Sequence, residues 1–319
     1  MNYGLPYQGS KNRIAKRLVE ALPAAPVLYD VFCGGCAVTH AAMLSGKYQH
    51  FVVNDLRGWL PAAFQKAIHG GYAHEDRWIS REDFERLRST DAYAAMCFSF
   101  GNDCRSYMYA RPLESYKRAL HCAIFWRDFA PWAALCPETA DALAAGLAPI
   151  EDRKQRRIQA GKFIVESLKA QIAAGMLTPD ILDKPIYRQI RRSKGAMTTV
   201  ETLQSLESLE RLQSLERLPD TLTVYSMDYR EMRFDEPGII YCDPPYKDTA
   251  DYGEDYAERF CHDEFYSWCE AQKLPVYISE YQMPEDRFVC VAEWDKVTTM
   301  ASKTTSHVTE RLWRPRTQL

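Results

Sequence analysis

The chain has 319 residues and a formal net charge of −3 at pH 7, and 46% of its residues are hydrophobic and 26% charged. This composition is typical of a globular protein with one large core or two smaller ones. No apolar run approaches the roughly 18 residues that cross a bilayer, and residues 1–11 lack the layout of a secretory signal, so we expect a cytoplasmic protein with reduced cysteines.

The first third of the chain predicts a helix and then a β-loop-α-β unit, which is the usual start of a parallel sheet. Ser10 can cap the helix, and Ile14, Leu18 and Leu22 form its apolar face. Glycines follow the first strand directly, and the second strand ends in polar residues. The elements predicted after the helix are a strand over 27–32, a helix over 37–44 and a strand over 51–53.

The middle of the chain, residues 58–218, is mostly helical and polar, and it fits a parallel-sheet pattern poorly. Eleven Lys and Arg residues lie between 153 and 194, against four acids in or beside that stretch. A local basic face of this kind attracts phosphates even when the whole chain is acidic. Leucines recur every three residues over 203–218, which we interpret as a helical linker or a short variable insert.

The last third returns to strand patterns. Together the patterns predict one α/β catalytic domain, residues 1–57 and 219–319, divided in sequence by the helical insertion 58–218. The elements predicted after Pro219 are strands over 222–225, 239–242 and 276–279, a helix over 263–272, and a closing antiparallel pair over 288–292 and 308–313.

The most specific motif is Asp243-Pro244-Pro245-Tyr246, directly after an apolar strand. Open α/β sheets bind ligands at such strand ends. The Asp243 carboxylate and the Pro244 carbonyl can accept both hydrogens of an exocyclic amine, while proline stiffens the loop. Tyr246 can stack on a base that has left the duplex. The motif therefore indicates methylation of the adenine amine; the alternative is a tight Pro-Pro turn with Tyr246 in the core.

The order of motifs resembles the Dam-like N6-adenine-specific DNA methyltransferases, including phage and orphan forms. The resemblance rests on residues 6–11 (PYQGSK), the glycine loop at residues 30–36, Asp55 and the Asp243 motif. It implies a Rossmann-like class I methyltransferase fold with an inserted target-recognition domain. It also implies S-adenosylmethionine as cofactor, no metal, and a flipped adenine in double-stranded DNA as substrate, with neither a membrane nor an obligate protein partner.

The resemblance also implies roles for individual residues. Tyr7 and Lys11 would contact the methionine end of the cofactor, Asp55 the ribose hydroxyls, and Asp228 the amino group of the cofactor's adenine. Taken alone, either aspartate is more often a helix cap. The glycine loop departs from the family at Cys36, where the family has its last glycine. The full cofactor set is Tyr7, Lys11, Asp30, Phe32, Gly34, Asp55, Asp228 and Asp243.

The DNA contacts predicted from the insertion fall into two groups. Asn102, Arg105 and Tyr107 lie in a stretch that looks like phage relatives, and Asn and Arg suit the edges of A and G. The alternative there is a polar turn with core tyrosines. A second, basic group is expected to contact phosphates and position the protein: Arg188, Arg191, Arg192 and Lys194.

Other functions remain open at this point. A methyltransferase acting on RNA, cytosine or protein glutamine is one. In the cytosine enzymes Ser more often precedes the two prolines, and in the glutamine enzymes Asn does, so Asp243 favours adenine. A DNA-binding relative with impaired catalysis is another, and Cys36 favours it. Residues 279–281 and 310–313 resemble the closing strands of the family, and we interpret them as mainly structural.

Overall fold

The computed structural model describes residues 2–192, 204–215, 218, 221–246, 260–299 and 305–319. The chain divides into two compact units. The sheet unit comprises Met1–Leu5, Gly9–Gly71 and Leu215–Leu319. The helical unit comprises Pro6–Gln8 and Tyr72–Ser214. The first division thus follows residue 71 rather than residue 57.

The sheet unit contains a seven-stranded sheet of order β3-β2-β1-β4-β5-β7-β6. The first five strands in this order are parallel, whereas β7 runs antiparallel to both β5 and β6. The predicted α/β class and the closing antiparallel pair are therefore confirmed. The strands are β1 Val27–Asp30, β2 His50–Asn54, β3 Leu222–Tyr225, β4 Gly238–Cys242, β5 Val276–Glu280, β6 Phe288–Thr299 and β7 Thr305–Pro315.

Apolar side chains explain why the central strands form. Every residue of β1 and β5 is buried, as expected for strands of a parallel sheet that is covered on both faces. Pairing aligns Asp30 of β1 with Val53 of β2 and Tyr241 of β4. The carboxyl ends of these three strands therefore meet at one edge of the sheet, which we call the carboxyl edge.

Four α-helices accompany the sheet within the described residues: α1 Ala15–Ala21, α2 Ala37–Met43, α3 Trp59–Ile68 and α12 His262–Ala271. Ile14, Leu18 and Leu22 are buried, as their spacing predicted. The predicted cap is wrong, because the Ser10 side chain makes no capping hydrogen bond. Instead a short 3-10 turn, Lys11–Arg13, precedes α1 and brings the Lys11 side chain into the interior.

The helical unit has its own core, which includes the fully buried Trp132 and Phe98. Its final helix packs against α5 and buries Leu209 and Leu212, so two leucines of the three-residue repeat serve packing. The helices are α4 Arg81–Leu87, α5 Ala92–Cys97, α6 Arg111–His121, α7 Ala130–Leu135, α8 Pro137–Leu147, α9 Arg153–Ala173, α10 Pro185–Arg192 and α11 Gln204–Gln213.

Two general features follow from the described part of the chain. All ten cysteines lie within it and are free thiols. No helix there is both long and apolar enough to span a membrane, and no cluster of three potential metal-ligating side chains is found among the same residues.

Candidate active site

The loops after β1 and β3 are joined by Asn54, the last residue of β2. Its side-chain amide donates to the carbonyls of Val31 and Met227, both at 3.1 Å, and its amide oxygen accepts from the Met227 N–H at 3.0 Å. This buried side-chain amide therefore provides hydrogen-bond partners for backbone groups just beyond the ends of β1 and β3. Sequence reasoning missed Asn54, although a polar residue ending an apolar strand was the available signal.

The glycine loop turns sharply toward α2. Gly34 has φ +46°, and its N–H donates to Asp55 Oδ2 at 2.9 Å. Cys36 also has a left-handed backbone, with φ 54° and ψ 35°, and its side chain is fully buried. A glycine would adopt this conformation at lower cost, which explains the residue that the resemblance leads one to expect. The turn is nevertheless formed with cysteine.

Asp55 is held by two backbone donors. Besides Gly34, the N–H of Arg57 donates to Asp55 Oδ1 at 2.9 Å. Burial raises the pKa of Asp55, while these two hydrogen bonds and the Arg57 charge lower it. Each carboxylate oxygen can accept a further hydrogen bond, so the group is oriented and still able to bind a diol.

Asp30 ends β1 and is almost fully buried. The Thr39 hydroxyl of α2 donates to Asp30 Oδ2 at 2.6 Å, whereas Oδ1 has no hydrogen-bond partner among the described residues. Burial, with smaller contributions from the charges of Asp243 and Asp55, raises the pKa of Asp30 to about 7, although the hydrogen bond from Thr39 lowers it. The carboxyl therefore anchors α2 and keeps acceptor capacity at one oxygen.

Phe32 belongs to an aromatic cluster beside the glycine loop. Its ring centroid lies 5.4 Å from that of Tyr229, 5.9 Å from Phe260 and 5.6 Å from Phe265. Phe32 itself is only partly buried. The cluster offers aromatic surface next to the carboxyl edge, which suits a planar ring.

Asp228 acts as a cap in the structure. It accepts from the backbone N–H of Arg230 at 2.9 Å and pairs with the guanidinium of the same residue at 2.7 Å. Hydrogen bonds from Arg230 hold the pKa of Asp228 below its ordinary value. This is the capping role that the sequence left open, and its predicted contact with the cofactor stays a prediction.

Asp243 lies at the end of β4, where Lys11 reaches it. The Lys11 ammonium is 2.8 Å from Asp243 Oδ1, and the two side chains are 6% and 19% exposed. Pro244 is buried and Pro245 is partly buried. The carboxylate that was predicted to accept from the adenine amine therefore forms a largely buried ion pair with Lys11, and part of its surface remains accessible.

Tyr246 is enclosed on several sides. The Lys11 ammonium lies 4.4 Å from the centroid of its ring, and Tyr281 packs edge-on with centroids 4.7 Å apart. The hydroxyl donates to Glu310 on β7. Burial, with the charges of Asp243 and Glu310, holds the pKa of Tyr246 well above its ordinary value, so the phenol stays protonated. Stacking of Tyr246 on adenine remains a prediction that requires an uncovered ring face.

Glu310 joins the same cluster, which sequence reasoning did not include. Its side chain is fully buried, and one carboxylate oxygen lies 3.6 Å from the Lys11 ammonium. The sequence carried a signal, because alternate residues of a strand share a face and Leu312, two residues on, is buried. A glutamate at a core-facing strand position calls for a buried partner.

Tyr7 differs from the other predicted cofactor residues because it belongs to the helical unit. Pro244 offers the carbonyl that was predicted to accept from the amine, and Pro245 follows it in the loop after β4. The roles of these residues stay predictions.

The predicted base-reading stretch of the helical unit is partly internal. The Asn102 amide donates to the Met96 carbonyl at 2.7 Å and to the Ser208 hydroxyl at 2.9 Å. Tyr107 is buried and donates to the Ile79 carbonyl at 2.9 Å. Tyr107 is therefore a core tyrosine, which is the alternative reading of this stretch. Arg105 is exposed, so its predicted DNA contact is sterically open.

The basic stretch 153–194 is also divided between inside and outside. Arg156 is buried and donates to the carbonyls of Ile124 and Ile150 at 2.6 and 3.0 Å. Arg157 is buried too and pairs with Glu210 at 3.1 Å. These arginines hold helices together rather than facing solvent.

The predicted phosphate-binding group is only partly described. Arg188 is exposed and lies 3.4 Å from Asp183. Arg191 and Arg192 end α10, and their side chains, like all of Lys194, lie outside the described residues. Their phosphate contacts stay predictions.

Residues 7–120 match the family model of the D12 class N6 adenine-specific DNA methyltransferase. No curated protein matches the chain. The matched range contains Lys11, the glycine loop and Asp55, whereas Asp243 lies outside it, so the two lines of support are separate. The match confirms the resemblance and, with the mixed sheet, the class I methyltransferase fold. Residues 7–120 of the chain are therefore similar to the D12 class of N6 adenine-specific DNA methyltransferases.

Proposed function

We propose that the protein transfers a methyl group from S-adenosylmethionine to the N6 amine of an adenine flipped out of double-stranded DNA, at a defined sequence. The observation that carries the proposal is the position of Asp243 at the carboxyl edge, next to Lys11 and on the same edge as Asp55. Ligands of open α/β sheets bind at this edge.

Asp243 and Pro244 would hold the amine. The lone pair of the adenine amine is delocalised into the ring, which makes the nitrogen a weak nucleophile. Acceptance of its two hydrogens by the Asp243 carboxylate and the Pro244 carbonyl would favour a pyramidal nitrogen. The same carboxylate can take the proton that the nitrogen loses after methylation, since it stands within hydrogen-bond reach of it.

The residues at the carboxyl edge fit S-adenosylmethionine, which when bound supplies a methyl group on a positively charged sulfur. The oriented Asp55 carboxylate suits the two ribose hydroxyls, and the Lys11 ammonium suits a carboxylate. Asp30 Oδ1 retains acceptor capacity for an N–H donor. Phe32 and its aromatic neighbours suit a planar base.

The helical unit would supply target recognition. Its loop at residues 99–104 contains left-handed residues at Gly101, Asn102 and Cys104 and carries Phe100, which is 66% exposed. Exposed Arg105 follows. An exposed aromatic beside a cation is suited to bases and phosphates together.

The test is to incubate the purified protein with DNA free of adenine methylation and labelled S-adenosylmethionine, and then to digest the DNA to nucleosides. Label in N6-methyldeoxyadenosine is expected, and sequencing then identifies the site. Label in a cytosine product would overturn the base assignment. Absence of label in DNA, with cofactor binding measured separately by calorimetry, would favour another substrate, and absence of binding would favour the impaired relative.

A further inference from the structure

Glu310 occupies a costly position for a charge. It lies on β7, which is between β5 and β6 in the sheet, and its side chain is 0% exposed. A buried carboxylate is destabilising unless partners compensate for its lost hydration. Its partners are the Tyr246 hydroxyl and the Lys11 ammonium.

Both partners of Glu310 adjoin Asp243. The Lys11 ammonium lies 2.8 Å from Asp243 and 3.6 Å from Glu310, so two carboxylates share one cation. The same ammonium lies over the ring of Tyr246. Glu310 thus contacts the two side chains that flank the reacting carboxylate without being part of the Asp243 motif.

We propose that Glu310 is a positioning residue of the adenine site: it fixes the Tyr246 hydroxyl and holds the Lys11 ammonium between itself and Asp243. This inference rests on the proposed function. If Asp243 were the sole carboxylate beside Lys11, the ammonium would neutralise it and weaken it as an acceptor. Glu310 draws part of that interaction to itself, since attraction falls with distance and is shared between two anions.

The decisive variant is Glu310→Gln, which keeps the shape and an acceptor for the Tyr246 hydroxyl but removes the charge that attracts Lys11. We expect kcat to fall by about tenfold to a hundredfold, because small misplacements of reacting groups have effects of this size. We expect KM for DNA to change by less than about threefold, since Glu310 does not touch DNA in the proposed arrangement.

Glu293→Gln is the matched control. Glu293 lies on the adjacent strand β6, is exposed, and pairs with Arg311 rather than with the active site. Its kcat should equal that of the wild type. If Glu310→Gln also keeps the wild-type kcat, the role of Glu310 is purely structural and the inference is overturned.

Tyr246→Phe provides a second route, because it removes only the hydroxyl that Glu310 accepts from. We expect a several-fold loss of kcat, and the double variant should lose less than the product of the two single losses, as for groups that act together. Full additivity would overturn the proposed coupling. If Glu310→Gln fails to fold, Tyr246→Phe alone decides: unchanged kcat would contradict the inference.

A readout without turnover separates this inference from the proposed function. The buried Tyr246 hydroxyl proton should give a downfield NMR signal that disappears in Tyr246→Phe and moves upfield in Glu310→Gln, because a neutral acceptor binds it less strongly. A signal unaffected by Glu310→Gln would overturn the inference. A wild type that transfers no methyl group but shows these shifts would instead contradict the proposed function alone.

Discussion

The two units of the molecule use buried charge differently. In the sheet unit, buried or partly buried charged groups lie at or near the carboxyl edge, as Lys11, Asp55, Asp243 and Glu310 do. In the helical unit, the buried guanidinium of Arg156 donates to backbone carbonyls at helix junctions. A buried charged side chain indicates a candidate active site only where several charged groups lie together. Elsewhere, as at Arg156, it can serve to connect helices through hydrogen bonds.

The buried arginines of the helical unit also change the interpretation of the basic stretch 153–194. Counted along the sequence, residues 153–194 predict a phosphate-binding face. Arg156 and Arg157 are buried in the structure, so they cannot contribute to such a face while the unit stays folded. A count of charges along the sequence therefore overestimates the number of cationic side chains that DNA could contact.

The largest expected effect tests the converging charges directly. Asp243→Ala removes the proposed acceptor of the amine, so we expect methyl transfer to fall by at least about a thousandfold, in line with the loss of a group that acts in the transition state. DNA affinity, measured by fluorescence polarisation, should change little. A variant with wild-type turnover would contradict the assignment.

Lys11→Met tests the shared cation. It leaves Asp243 and Glu310 close together without compensation, and we expect a loss of about 3–5 kcal/mol in the free energy of unfolding at pH 7. Urea unfolding at pH 7 measures this loss.

Lys16→Met is the control for that prediction, since Lys16 lies on α1 with its side chain 73% exposed. It should change the free energy of unfolding by less than about 1 kcal/mol. An equal loss of unfolding free energy in both variants would show that Lys11 stabilises the fold no more than an exposed lysine does.

Asp55→Ala addresses the cofactor half of the site. It removes a carboxylate that two backbone groups orient, and we expect S-adenosylmethionine affinity to fall by about tenfold to a hundredfold, as for hydrogen bonds to a charged group. Calorimetry measures the affinity, and exposed Asp235→Ala serves as control. Unchanged affinity in Asp55→Ala would count against the ribose role.

The smallest expected effects concern the helical unit and sharpen the contrast between exposed and buried arginines. Arg105→Ala should weaken DNA binding several-fold and reduce the salt dependence by about one phosphate contact, with stability unchanged. Arg156→Ala should lower the melting temperature, because it leaves buried carbonyls without donors. A loss of stability in Arg105→Ala and a loss of DNA binding in Arg156→Ala would contradict the roles assigned to these exposed and buried arginines.

Much of the sheet unit could be predicted from the sequence. Its central strands are short apolar runs between polar residues, so periodicity and length identify them. The Asp243 motif follows such a run, which placed it correctly at a strand end. Most of the bounds that shifted moved by one to three residues, whereas β6 runs seven residues past its predicted end, because hydrogen bonding with neighbouring strands decides where a strand stops.

Other features depended on contacts between residues far apart in sequence. Lys11 was predicted as a cofactor contact and Glu310 as a residue of a closing strand, yet the two side chains lie 3.6 Å apart. The predicted Ser10 cap failed and Tyr107 proved to be a core residue for the same reason. Local propensity is weak compared with tertiary packing.

The sequence by itself determined the fold class, the order of the strands along the chain and the set of residues that we propose to bind an amine. Only the tertiary structure decided which charges share a site, since a chain pattern describes faces and periods but not partners. Burial makes each of those charges costly when it is alone, so the protein keeps them only where the fold brings opposite charges together.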